Sequence, residues 1–445
     1  MRNLILFWFS FILICFGLFA DTISIEEVRL LALTNSRSLA KYNLSIQSIA
    51  LDERSRVYSN FPSLSLGVSA SISLWNAERA EPIENPFDTF SAGASVSISQ
   101  RIFEGGKSFI QKTLNEIAAE SARKDALAEY FNVLDSADNA YYALLEAAAT
   151  LEAEEASLLS SNAALSIAEI RQASGIISQG DFLKALAEME GRENSRNQAR
   201  RNLVLANAKL RAITGLSDIP SLEPVDFSGY EELILLLGTI SDEEADFLYS
   251  QFWKLLMIAN PSLSKASLSH QRAESNLNMT KSSYSPTLSA SFSTGLNYTQ
   301  NNGLERSGGR LSLSASIPVD FWVIANNVEK SRVALDSALI DYISAEAQLD
   351  SELQSALINT FGYAGSFLSS RRSLEYAERH FEYVMERYRL TQASVSELGE
   401  ASTLLINSRN NNIKMSFSFL QSLSKLRSLA AIDDEERLIE FLMSK

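Results

Sequence analysis

Two kinds of hydrophobic pattern follow each other along the chain, and the first is a strict alternation. Residues 63–74 read SLSLGVSASISL, with apolar residues at one set of alternate positions and serine or glycine at the other. Residues 91–98, 287–298 and 311–319 alternate in the same way. Because successive side chains of a strand point to opposite faces, this period of two predicts four strands, each with one apolar and one polar face.

The length and the polar face of these strands favour a barrel in a membrane. Each strand has roughly 9–12 residues, which is enough to cross a bilayer when the strand is tilted. The polar face carries almost only small uncharged residues, as expected of a wall that lines water. The strands of a soluble sandwich also alternate, so this alternative stays open.

A barrel would require several chains. Four strands cannot close around a lumen, for which about eight are the practical minimum. An open sheet in lipid would leave the backbone groups of its edges unpaired. The barrel interpretation therefore predicts an oligomer in which the chains share one barrel.

The second pattern predicts very long helices. Residues 107–173 contain no proline, and apolar residues recur at spacings of three and four between Tyr130 and Leu145. At 1.5 Å per residue a single helix over this segment would be roughly 100 Å long. Residues 327–390 predict a second helix of roughly 95 Å. The helices alone would equally suit a soluble periplasmic coiled-coil scaffold or adaptor.

The chain also repeats itself. The hexapeptide TISIEE at 22–27 returns as TISDEE at 239–244, and each copy contains Ser-x-x-Glu, the capping box that starts a helix. FPSLSL at 61–66 matches SPTLSA at 285–290, and VSISQRI at 96–102 matches LSASIPV at 313–319. Three matches in the same order indicate an internal duplication.

The predicted organisation is a leader followed by two structural repeats. The leader is 1–20 and the repeats are 21–238 and 239–445. The first repeat has a helix, strands 63–74 and 90–103, a helical hairpin 107–214 and a segment 216–238. We call this segment equatorial because it would form a belt partway along the helices. The second has a helix, strands 286–298 and 310–319, a helical hairpin 327–432 and a C-terminal equatorial tail.

The leader has the features of a secretory signal. Arg2 precedes an apolar run, and Ala20 offers a small residue before Asp21. This arrangement favours a cleaved signal peptide over an uncleaved anchor. Lipidation of Cys15, the single cysteine, is disfavoured because large apolar residues precede it. No later stretch reaches about 18 continuous apolar residues, so the sequence predicts no transmembrane helix.

Composition narrows the chemistry further. The net charge of −15 provides no cationic stripe for nucleic acid. Two histidines and one cysteine leave little material for a metal site or for Cys–His catalysis. No G-x-S-x-G, P-loop or H-E-x-x-H motif occurs. We therefore predict neither enzymatic activity nor a cofactor.

Three segments resemble TolC-type outer-membrane efflux proteins, namely SQRIFEGGK at 99–107, IRQASGIISQGDFLKA at 170–185 and YRLTQASVSELGEA at 388–401. The resemblance extends from about residue 22 to 432. It implies a mainly α fold of the mixed α and β class, in which a long antiparallel coiled-coil α-barrel continues a trimeric transmembrane β-barrel with four strands from each chain. It implies a homotrimer in outer-membrane lipid with its helices in the periplasm. The implied activity is passive export together with a periplasmic adaptor and an inner-membrane pump.

The same resemblance assigns roles near the two turns between long helices. Glu397 and Glu400 are spaced i, i+3 and share a helix face; the resemblance implies that they line the pore entrance and favour cations. A solvated pair of first-turn acids at a helix N-terminus is the alternative. Asp181 and Tyr388 match the gating latch of the closed tunnel.

Adaptor contacts are expected at these turns, at Gly175, Ser178, Thr391 and Ser396. Ser178 and Ser396 are also predicted to cap the returning helices. The sequence departs from the family pattern in the second turn: Ala393 stands where some members carry a latch-forming arginine, and Thr391 replaces a glycine. A different closing network, using Arg389 or Arg171, is consistent with these departures.

Overall fold

A computed structural model describes residues 22–76, 81–82, 86–300 and 303–443. The predicted signal peptide lies outside the described residues. In chain order, the elements are β1 (Thr22–Ile23), α1 (Ile25–Asn35), α2 (Arg37–Ser59), β2 (Ser63–Ser71), β3 (Trp75–Asn76), β4 (Glu81–Pro82), β5 (Ser91–Glu104), α3 (Lys107–Ala173), α4 (Gln179–Thr214), β6 (Ser221–Leu222), α5 (Glu231–Gly238), α6 (Asp242–Ala259), α7 (Pro261–Lys281), β7 (Thr287–Thr299), β8 (Gly303–Ser316), α8 (Phe321–Arg389), α9 (Val395–Leu429) and α10 (Glu435–Met443). Short 3₁₀ turns lie at Pro86–Thr89, Phe227–Tyr230 and Ser282–Tyr284.

Local sequence signals account for where several helices start. The repeated Ser-x-x-Glu motifs both form capping boxes: Ser24 accepts a hydrogen bond from the Glu27 amide, and Ser241 accepts one from the Glu244 amide. Each box satisfies amide groups that the first turn of a helix leaves without partners. The capping prediction is confirmed at both sites. Among the described helices, none combines the length and the apolarity needed to cross a membrane.

Several element boundaries differ from those drawn on the sequence. α8 begins at Phe321, ahead of the predicted start of the second hairpin at 327, because residues 321–326 contain no breaker that would delay it. β2 ends at Ser71, before the predicted residue 74. The largest difference is in β8, which begins at Gly303 rather than at 310.

One compact unit, made of residues 41–126 and 262–347, contains all the described strands except β1 and β6. β2, β5, β7 and β8 form an antiparallel sheet in that order, so each sequence repeat contributes one hairpin and the pair β5–β7 joins the two. Neither outer edge of this sheet, along β2 or β8, pairs with another strand among the described residues. The sheet is therefore open on both sides in a single chain.

The two faces of this sheet differ as the alternation predicts. On one face, serine hydroxyls of β2 and β5 bond across the strands, at 2.6 Å between Ser63 and Ser99 and at 2.7 Å between Ser65 and Ser97. On the other face, the apolar side chains stand outward, and Val68 is 80% exposed. A row of exposed apolar side chains of this size needs lipid or protein to cover it.

The other compact unit contains the remaining described residues, namely 22–40, 127–261 and 348–443. β1 pairs in parallel with β6, and α10 packs through Phe441 against Phe252, with ring centroids 4.7 Å apart. Each compact unit contains residues from both sequence repeats, so the two units do not correspond to the two halves of the duplication.

A buried charge cluster, made of Arg29, Asp138, Arg427 and Glu435, ties this unit together. Asp138 is fully buried and accepts hydrogen bonds from Arg29 Nε and Arg427 Nη2, both at 2.6 Å. Ser424 donates a further hydrogen bond to Asp138 at 2.6 Å. Arg29 also donates to Glu435 at 2.9 Å, which fastens α10 to α1. Buried charges are tolerated when they are paired and hydrogen-bonded in this way.

Candidate functional site

The first turn between long helices, the first tip turn, lies between the end of α3 at Ala173 and the start of α4 at Gln179. Gly175 has φ +68° there, and a Cβ at this position would meet nothing within 4 Å. Ser178 caps α4: its Oγ accepts from the Asp181 amide at 3.1 Å and donates to the Asp181 carboxylate at 2.8 Å. The predicted cap at Ser178 is therefore confirmed, and Asp181 is held by it.

The second tip turn, between α8 and α9, repeats this arrangement in the second half of the chain. Thr391 stands in the place of Gly175 and has φ +63°. Ser394 stands in the place of Ser178 and forms a capping box with Glu397. The prediction that Ser396 caps this helix was wrong. The cap is Ser394, which is followed three residues later by Glu397, whereas Ser396 lies inside α9. Ser396 instead accepts a hydrogen bond from Lys184 Nζ at 3.3 Å.

The acidic candidates Glu397 and Glu400 are both exposed in the first turns of α9. The Ser394 amide donates to the Glu397 carboxylate at 2.7 Å and lowers the pKa of that group. Glu397 therefore remains ionised at any pH near neutrality. Glu400 makes no hydrogen bond or ion pair with a described residue. By the internal duplication, Asp181 in the first turn of α4 corresponds to Glu397 in the first turn of α9.

Beneath the tip turns lies a buried contact that the sequence did not identify. Arg171 places its guanidinium over the Tyr388 ring, 4.2 Å from the centroid, and donates to the Tyr388 carbonyl oxygen. Tyr388 is only 1% exposed, and burial raises the pKa of its hydroxyl. Cation–π pairs of this kind gain strength when they are shielded from water. The sequence signal that could have predicted this contact is Arg171 itself, an isolated arginine within an apolar helix seam.

The latch candidates are not hydrogen-bonded to each other within the chain. Asp181 binds its own cap, Ser178, while the Tyr388 hydroxyl donates to the Ala164 carbonyl oxygen at 3.5 Å. Of the two arginines considered for an alternative network, Arg389 is exposed and pairs with Glu386 at 2.8 Å. The other, Arg171, is the one that contacts Tyr388. Ala393 is buried in the apolar cluster around Tyr388.

The two tip turns differ in backbone strain, which gives a matched prediction. A residue with a Cβ in the left-handed region costs about 1–2 kcal/mol, and glycine avoids this cost at the expense of a more flexible unfolded chain. We expect Thr391→Gly to stabilise the protein by about 0.5–1 kcal/mol. Gly175→Ala should destabilise it by a similar amount, since it adds strain without a steric clash. Thermal unfolding followed by circular dichroism in detergent measures both, and shifts of the same sign would contradict this account.

The described residues contain no group of three or more His, Cys, Asp or Glu side chains that could hold a metal ion. Two separate features are candidates for function: the exposed carboxylates and turn residues at the helix ends, and the two-faced sheet.

Comparisons with known proteins agree with this picture. The family model described as outer membrane efflux protein matches residues 29–216 and 254–431. The fold is similar to the crystal structure of CusC, with a TM-score of 0.76, 14% identity and coverage of 91% of each chain. It is also similar to the CmeC outer membrane channel of Campylobacter jejuni, with a TM-score of 0.74, 16% identity and coverage of 94% of this chain and 89% of that one. For the outer membrane protein VceC of Vibrio cholerae the TM-score is 0.73, the identity 15% and the coverage 92% and 96%. No curated protein sequence matches the chain.

Proposed function

Because the chain belongs to the outer membrane efflux protein family, with its sheet in the outer membrane and its helices in the periplasm, we propose that it works as the exit duct of a tripartite efflux or type I secretion system. In this proposal it conducts substrate passively to the exterior. A periplasmic adaptor and an inner-membrane pump supply the substrate and the energy.

The observation that carries the proposal is the sheet with one serine face, one apolar face and two open edges. In lipid each unpaired backbone group costs several kcal/mol, so both edges need partners. Copies of the same chain provide them when β8 of one chain pairs with β2 of the next. The resemblance to the family implies three copies, which give twelve strands and leave a lumen lined by the serine face. A homotrimer is therefore part of the proposal.

The tip turns support an acidic entrance to this duct. Glu397 and Glu400 are exposed on one face of α9, and three copies would bring six carboxylates to one opening. Rings of carboxylates attract cations and repel anions. The exposed turn positions Gly175 and Thr391, together with Ser178 and Ser396 beside them, are the surface we assign to the adaptor.

The closed state would be held by residues under the same turns. Asp181 and Tyr388 remain the proposed latch, and they do not bond within one chain. Tyr388 is only 1% exposed beneath Arg171, so a contact with Asp181 of a neighbouring chain would require the Tyr388 side chain to leave this packing. The two states of the duct would then differ in whether Tyr388 lies under Arg171 of its own chain or against Asp181 of a neighbour.

Conductance with an altered entrance tests this proposal. We expect the wild-type protein to form channels in planar bilayers that prefer K⁺ over Cl⁻. The double variant Glu397→Gln and Glu400→Gln should lose most of that preference, because it removes the six glutamate carboxylates of the proposed ring while keeping their size. The reversal potential in a KCl gradient measures the effect.

A matched control is available on α3. Glu152 and Glu155 are exposed and also spaced i, i+3, but they lie well before the first tip turn. Changing both to glutamine removes the same charge and should leave the preference unchanged. An unaltered reversal potential in the Glu397 and Glu400 variant would argue against the acidic entrance, and an absence of any conductance in the wild type would argue against the duct itself.

A further inference from the structure

The early start of β8 changes which side chains reach the apolar face of the sheet. Sequence alternation alone would give Arg306 the same face as Arg310 and Ser312, which is the serine face. The pairing of β8 with β7 shifts register at one point: Arg310 is opposite Ser293, but Ser307 is opposite Gly295. From Arg310 to Ser307 the chain of β8 advances three residues, while β7 advances two, from Ser293 to Gly295. The extra residue of β8 forms a bulge at Gly308–Gly309.

A bulge of one residue exchanges the faces of everything beyond it. On the helix side of the bulge, Leu311 is opposite Phe292 on the apolar face. On the far side, Arg306 is opposite Leu296 and therefore shares that same apolar face. Gly309 permits the bulge, because a Cβ there would lie 3.0 Å from the Phe292 ring.

Arg306 thus stands on a surface that is otherwise apolar. Its neighbours on this face are Leu304 along the strand and Leu296 across it. Arg306 is exposed and makes no hydrogen bond or ion pair with any described residue. Arg310, by contrast, lies on the serine face, which we assign to the water-filled lumen.

The depth of Arg306 in the bilayer follows from the turn that precedes it. Arg306 is three residues from Gly303, where β8 begins, which corresponds to about 10 Å along the strand and about 7 Å along the membrane normal at a tilt of about 45°. The turn itself must lie outside the hydrocarbon. Near this end of the sheet the rings of Phe90 and Tyr298 lie 6.3 Å apart, as in an interfacial aromatic belt. Arg306 lies two residues further from the turn than Leu304, which is opposite Tyr298, so it stands just inside this belt and its long side chain can reach the headgroups of the outer leaflet.

We propose that Arg306 is a lipid-binding residue that holds the phosphate of an outer-leaflet headgroup from the lipid side of the barrel. A guanidinium without a protein partner cannot stay on an apolar surface unless an anion pairs with it or its stem reaches water. Phosphate matches the planar donor pattern of arginine and can accept two parallel hydrogen bonds. The phosphates of lipid A and those of an anionic phospholipid offer this same chemistry.

Native mass spectrometry of the detergent-solubilised wild-type protein tests the site and separates the two sources. The protein is incubated with bisphosphorylated lipid A, with phosphatidylglycerol, or with phosphatidylcholine as a zwitterionic reference. Arg306→Gln removes the donor, Arg306→Lys keeps the charge, and Arg310→Gln removes an equal charge from the other face of the same strand.

We expect Arg306→Gln to weaken binding of the anionic lipid about tenfold, the value of one charge-assisted hydrogen bond. Arg306→Lys should fall between the wild type and this variant, while Arg310→Gln should bind like the wild type. A loss confined to lipid A identifies that lipid as the ligand, and an equal loss with phosphatidylglycerol identifies any phosphate headgroup. Equal losses in Arg306→Gln and Arg310→Gln, or no loss in either, would overturn the proposal. Dissociation of the oligomer by Arg306→Gln in the absence of lipid would also overturn it, since Arg306 would then join chains.

Discussion

Replacing Val68 by arginine is expected to abolish assembly of the protein in the outer membrane. Val68 lies within β2 on the apolar face, with 80% of its surface exposed in the single chain. Val68 shares a row of the sheet with Ala94, Leu296 and Arg306. Arginine on the lipid face costs from about 1 kcal/mol near the interface to about 2–4 kcal/mol at the midplane in each copy, and every copy in the assembly bears this cost.

The adjacent residue provides the matched control for this prediction. Ser69 has the opposite orientation, so Ser69→Arg introduces the same charge on the lumen face, where water can solvate it. Val68→Leu tests whether a change of size alone matters. Outer-membrane fractionation, followed by electrophoresis without heating to detect the oligomer, measures all three. Normal assembly of Val68→Arg would contradict the assignment of the faces and would favour the soluble scaffold that the helices alone allowed.

Replacing Asp138 by asparagine is expected to destabilise the helical unit by about 3–5 kcal/mol. The change removes the negative charge that the buried Arg427 shares with the half-buried Arg29. Arg427 depends on it most: the Arg427 side chain is 2% exposed, and its Nε and Nη1 have no hydrogen-bond partner in the described part of the chain. Without Asp138 the guanidinium is a buried charge with no counterion. Arg29 keeps its contact with Glu435.

Two further variants distinguish a buried-charge effect from a general loss of packing. Glu375→Gln breaks an exposed ion pair with Arg379 on α8 and should cost no more than about 0.5 kcal/mol. Asp138→Leu combined with Arg427→Met replaces the buried pair by apolar groups and should recover much of the lost stability. Thermal unfolding in detergent, followed by circular dichroism, measures the series. If Asp138→Asn unfolds at the same temperature as Glu375→Gln, the buried charge cluster does not stabilise the fold.

The sequence reveals those parts of the fold that depend on near neighbours. Alternation identified the strands and their two faces, and Ser-x-x-Glu located the starts of α1 and α6. The bulge was missed because Gly308–Gly309 was interpreted as part of a loop, and a face exchange depends on the partner strand as well as on local pattern. The cap at Ser394 was missed although it has the same Ser-x-x-Glu motif, because Ser396 stands close by at the same helix start.

Long-range contacts could not be predicted from one sequence. Asp138 and Arg427 are 289 residues apart, and nothing near either residue identifies its partner. The same is true of Arg171 and Tyr388, which are 217 residues apart. Such pairs depend on how the helices are packed side by side. The family resemblance implied that the helices pack as antiparallel coiled coils, but it did not identify the charges that meet between them.

The buried charge cluster also has a consequence for biogenesis. A polypeptide is made from its amino end, so Asp138 and Arg29 emerge long before Arg427 and Glu435 are translated. Until then, the carboxylate and its single early arginine have no reason to leave water, and α1 and α3 cannot close around them without cost. An interrupted chain would thus keep this region hydrated and open to proteases, whereas a finished one can seal it. Closure of this unit therefore has to wait for the last described helix, α10, to be made.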